Sequence, residues 1–136
     1  MSLREPPDGI AVHETPIAVT WLHPDGILVS RSKPVRRTVE NLSENLAVVR
    51  RITGGRRMPL LVFLTDSPVP DKAARTFSAE QVPLAYTAMA MVSPPGLSQL
   101  IMKLVFRLQS PPIPMRSFSD GEEARRWLLS LPASAE

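Results

Sequence analysis

The stretch Met58-Pro59-Leu60-Leu61-Val62-Phe63-Leu64-Thr65-Asp66 constrains the fold more than any other part of the chain. It is a short, nearly continuous apolar run that follows Gly54-Gly55-Arg56-Arg57 and leaves through Asp66-Ser67-Pro68. A strand with one wet face would alternate polar and apolar residues, so an unbroken run of this length suits a strand covered on both faces. The chain on either side must supply those covers.

Upstream, Ile17-Ala18-Val19-Thr20-Trp21-Leu22 and Gly26-Ile27-Leu28-Val29-Ser30 favour two strands, and His23-Pro24-Asp25-Gly26 supplies turn chemistry between them. Ile10 to His13 extends the hairpin by a short edge segment that Pro16 interrupts. Thr38 is the expected N-cap of a helix running to about Thr53, with Val39, Leu42, Leu46, Val49 and Ile52 at spacings of three and four and Gly54-Gly55 as its stop. A helix between two strands is a crossover, which makes the flanking strands parallel.

Downstream, Asp71 is the expected N-cap of a short helix ending near Phe77, followed by a connector at Val82-Pro83-Leu84. Ala85 to Val92 carries no charge and reads as an interior strand. Leu97 to Gln109 is a helix by periodicity, and Met115 to Phe118 a last strand. Ser119 and Glu122 then form a capping-box pattern opening a final helix, whose Ala124, Trp127, Leu128 and Leu131 face inward before Pro132 stops it.

At 136 residues, 43% of them hydrophobic, the chain has the size and apolar content of one domain. The expected organisation is a flexible arm over 1–8, a domain over 9–132 and a flexible tail over 133–136. The absence of cysteine excludes a disulfide framework and thiolate chemistry, and no segment reaches bilayer-spanning length. With no apolar leader at the N-terminus, a cytoplasmic location is expected. A net charge of +3 permits an acidic partner without demanding nucleic acid.

Strands alternating with helices indicate α/β layering. The order of elements resembles the STAS or SpoIIAA-like fold of anti-sigma-factor antagonists, and more narrowly a group of small bacterial STAS-like proteins of unassigned function. The shared residues are Arg56-Arg57-Met58-Pro59-Leu60-Leu61-Val62, Ala74-Arg75, Ala88-Met89-Ala90-Met91-Val92-Ser93-Pro94, and Pro114 to Ala124 followed by Trp127-Leu128. The likeness spans about residues 10 to 131 and rests on the order of these motifs. It implies a mixed sheet of about five strands with about four helices packed mainly on one side. In the antagonists an Asp-Ser pair opens the second helix, and its serine is phosphorylated. Asp71-Lys72 stands at the matching place here, so the resemblance implies the scaffold without the usual phosphoacceptor.

The candidate switch region is therefore Asp66, Ser67, Asp71, Lys72 and Arg75, for which turn and capping roles are the simpler reading. His13 and His23 have no carboxylate or second histidine at ligand or relay spacing and read as structural. Arg36, Arg37, Arg50, Arg51, Arg56 and Arg57 flank the first helix without interleaved aromatics, a solvated face more than a nucleic-acid site. On the third predicted helix Met102 and Phe106 fall opposite the leucine stripe, beside Lys103, with Arg107 next in sequence, and form the candidate interaction surface. The expectation is a non-catalytic protein-interaction or regulatory module without cofactor or metal. Its partner is a protein, a homodimer being one form, and peripheral membrane contact is a lesser option. A SEC14-like carrier of a lipid or other apolar ligand is the alternative, since those domains use a similar scaffold.

Overall fold

The computed structural model describes residues 3–93 and 113–132. The hairpin forms as its turn residues dictate. Strands β2 (Ala18–Leu22) and β3 (Leu28–Ser32) pair antiparallel, and the turn is closed by His23 N–H donating to the Ile27 carbonyl at 2.9 Å. The edge segment is a strand of its own, β1 (Val12–Glu14), antiparallel to β2 with Val12 opposite Trp21. This brings the strands among the described residues to six, against about five expected.

Helix α1 (Val39–Thr53) opens on Thr38, whose hydroxyl accepts from Asn41 N–H at 3.1 Å while Asn41 Oδ1 accepts from Thr38 N–H at 2.7 Å. Gly54 ends it in the left-handed region at φ 67°, where a side chain is strained. The opening apolar run is β4 (Met58–Phe63), followed by α2 (Lys72–Ala85), β5 (Tyr86–Val92), β6 (Met115–Phe118) and α3 (Gly121–Ser130). Strands β3 to β6 are mutually parallel, and the spatial order is β1-β2-β3-β4-β5-β6.

Two local expectations are corrected. Helix α2 does not stop near Phe77 but runs through Pro83 to Ala85. Packing outweighs the lost N–H, because Phe77, Val82 and Ala85 all belong to the core beneath the helix. The cap of α3 is Asp120 and not Ser119: its Oδ2 accepts from Glu123 N–H at 3.2 Å.

Two cores flank the sheet. Leu28, Leu46, Val49, Leu60, Ala85 and Tyr86 form one beneath α1 and α2. Trp21, Val29, Leu61, Phe63, Ala90 and Leu128 belong to the other, under α3. The division follows from connectivity. Strands added in one direction by crossovers of one hand keep their helices on one face, and this places α1 and α2 together. Helix α3 follows the last strand, is no crossover, and closes the opposite face. Among the described helices, α1 and α2 thus share one face, in keeping with helices mainly on one side, and α3 takes the other. Three helices lie among the described residues, and the predicted helix over Leu97–Gln109 lies outside them.

Residues 3–8, expected as a loose arm, make contacts on the α3 side. Leu3 packs against that core, the Arg4 guanidinium lies 5.2 Å from the Phe63 ring centroid, and Arg31 Nη1 donates to the Arg4 carbonyl at 3.0 Å.

Candidate functional site

The segment leaving β4 is shaped by side chains that bind backbone. Asp66 and Val69 are exposed, Val69 at 53%, and Ser67 is half-buried. Arg36, from the entry to α1, donates Nη1–H to the Val69 carbonyl at 3.1 Å, and Arg75 donates Nη1–H to the Pro70 carbonyl at 2.7 Å. Two guanidiniums from different elements therefore pin consecutive carbonyls. Asp71 Oδ1 accepts from Ala74 N–H at 2.8 Å and caps α2, a position that also suits a carboxylate to the helix dipole. Lys72 is exposed on the first turn.

Of the predicted switch residues, the fold brings Asp71, Lys72 and Arg75 onto one turn. Among the described residues, no hydrogen bond or ion pair links Asp66 or Ser67 to them. Met102, Lys103, Phe106 and Arg107 lie outside the described residues. Among the described residues no group of three or more His, Cys, Asp or Glu is placed to hold a metal, and no helix is long and apolar enough to cross a membrane.

Two arrangements escaped the sequence. The first joins the β2–β3 turn to α3. His23 Nδ1 lies 2.7 Å from Asp25 Oδ1 and accepts from Asp25 N–H at 3.3 Å. This overturns the reading that His23 lacks a nearby carboxylate. Asp25 Oδ2 accepts from Arg125 Nε at 2.5 Å, and Arg125 Nη1 reaches Glu122 Oε1 at 3.1 Å. The Asp25 hydrogen bond, with the charges of Asp25 and Glu122 behind it, raises Arg125 above its ordinary pKa. Asp25 and Arg125 stand a hundred residues apart, so no local spacing could reveal the pair.

The second arrangement is an open groove of about 520 Å³ along β6 and α3, lined by Arg116, Ser117, Phe118, Ser119, Glu123, Arg126 and Trp127. Phe118 and Trp127 tilt at 48° with centroids 5.6 Å apart, and the Arg116 guanidinium lies 5.2 Å from the Phe118 centroid. The only hint in the sequence was the clustering of two aromatics and two arginines around a short strand.

A hairpin leading into parallel strands, with helices α1 and α2 on one face and α3 on the other, is a SpoIIAA-like α/β fold. It is similar to the crystal structure of an uncharacterized protein of the DUF3478 family from Shewanella loihica PV-4, described as SpoIIAA-like. The TM-score is 0.57 at 13% identity, covering 88% of this chain and 92% of that one. The chain belongs to the family described as domain of unknown function DUF7793, whose model matches residues 20–131. No curated protein matches it.

Proposed function

We propose that the protein is a non-catalytic interaction or regulatory module that docks a protein partner on the segment joining β4 to α2. One observation carries this reading: the segment is held by Arg36 and Arg75 through its backbone while Asp66, Val69 and Lys72 point their chemistry outward. A pre-set loop with an apolar residue between opposite charges suits recognition, because little ordering entropy is lost on docking. Asp71 is engaged as a helix cap and Lys72 cannot accept a phosphoryl group as serine does, so docking here works without a serine switch at that position.

The test is affinity capture from extract of the source cells with wild type and Val69→Glu, quantified by mass spectrometry alongside circular dichroism. The expected outcome is a protein retained by the wild type and lost by an equally folded variant. An identical set of captured proteins would remove this surface from the proposal. A lipid copurifying with the wild type in native mass spectra would favour the carrier reading instead.

A further inference from the structure

Strand β6 is bound to β5 along one edge only among the described residues. The side it uses is fixed by two bonds: Met89 N–H donates to the Pro114 carbonyl at 2.9 Å, and Ser93 N–H to the Phe118 carbonyl at 3.2 Å. Backbone direction alternates along a strand, so residues 114, 116 and 118 face β5, and Met115 and Ser117 direct N–H and C=O toward the outer edge. An edge of this kind is a template for another strand.

Its side chains select which strand. If the edge meets its own copy antiparallel with Ser117 on the two-fold axis, Ser117 faces Ser117 of the copy as a hydrogen-bonded pair exchanging both bonds. Arg116 then stands opposite Phe118 of the copy, and Phe118 opposite its Arg116, in the closer, non-hydrogen-bonded register. Arg116 and Phe118 already attract one another within the chain, at 5.2 Å, and the same pairing recurs across the axis. The groove also carries Glu123 and Arg126 on the helix that flanks β6, opposite charges that a two-fold axis can bring together. An isologous contact requires each residue to meet its complement on an identical surface, and this edge meets that condition in backbone, aromatic and charge.

We infer that β6 is a self-association edge through which two copies join their sheets into one continuous antiparallel seam centred on Ser117. This goes beyond the docking proposal above and does not depend on it, since it uses a different strand and different residues.

The experiment is sedimentation velocity of the full chain from low to high micromolar concentration, for wild type, Ser117→Pro and Arg116→Glu. Ser117→Pro removes a donor on the outer edge and leaves the bonds to β5 untouched. Arg116→Glu alters the cross-axis pair without touching backbone, and decides the matter if the proline variant fails to fold. The wild type is expected to shift to twice the chain mass as concentration rises, with its Ser117 amide gaining protection from hydrogen exchange. The folded variants are expected to associate about tenfold more weakly or less, each change acting twice across the axis. A wild type that stays monomeric throughout overturns the inference, as does a dimer that both folded variants retain. Neither outcome bears on capture by Val69.

Discussion

Tyr86 sits where β5 changes its facing. The β4–β5 register pairs Met58 with Tyr86 and Pro59 with Ala88, so Thr87 has no partner, and the irregularity puts Tyr86 in the core beneath α1 and α2 while Ala88 and Ala90 serve the α3 core. Burial of the phenol pushes its pKa up to about 12, outweighing the opposing pull of the Arg50 charge. Because the folded value lies above the ordinary 10.0, the fold favours the neutral phenol. The associated stability is complete below pH 10, declines between 10 and about 12, and is gone above that. Two units correspond to roughly 2 to 3 kcal/mol. The sequence holds a single tyrosine, so phenolate absorbance reports this group alone. It is expected to titrate near 12 in the folded protein and near 10 in denaturant. A titration near 10 under native conditions would contradict the burial. Tyr86→Phe is expected to lose this alkaline dependence. The uncharged run from Ala85 to Val92 was readable as a strand, but a one-residue irregularity inside it was not, since either facing of Tyr86 satisfies the same apolar pattern.

At the scale of elements, local signals located starts better than ends. Thr38 was legible because its hydroxyl is followed at the right distance by a helix-period stripe, and the structure places the cap there. For helix α3 the pattern pointed to Ser119 with Glu122, one residue short of the cap the structure shows at Asp120, and sequence pattern cannot decide between registers one residue apart. Asp120 fits because Gly121 then begins the helix against Phe63, where an added Cβ would come within 3.0 Å of the ring. Asp120→Ala is therefore expected to cost about 1 kcal/mol in urea unfolding. Ser119→Ala is expected to stay within about 0.5 kcal/mol of wild type. The reverse ranking would restore Ser119 as the cap. The end of α2 was misread for a different reason. The expected helix ends near Phe77, ahead of a connector at Val82-Pro83-Leu84, yet Val82 and Ala85 gain burial by continuing the helix into β5 with only Tyr86 as its boundary. That gain is tertiary and has no local signature.

Over the whole molecule, the layers were legible and the contacts that fix them were not. The hairpin, the first crossover and the central strand follow from periodicity and turn residues, whereas the choice of face for α3 depends on what it meets. Its attachment is part apolar, through Ala124 and Leu128, and part ionic, through Arg125 to Asp25 on the far hairpin. Asp25 thereby serves two ends: its backbone N–H and one oxygen lie against His23 within the turn, and the other oxygen holds the helix that closes the second core. Such a contact bridges the first and last parts of the described fold, so breaking it should weaken both together. Asp25→Ala, Arg125→Ala and the double variant form a cycle whose coupling energy is expected at about 0.5 to 1 kcal/mol, since both side chains are partly exposed and solvent screens the pair. Hydrogen exchange separates this long-range tie from a local turn effect. In Asp25→Ala, amides of α3 should lose protection along with those of the turn at His23 to Ile27, whereas loss confined to the turn would show that the apolar contacts alone hold the helix in place.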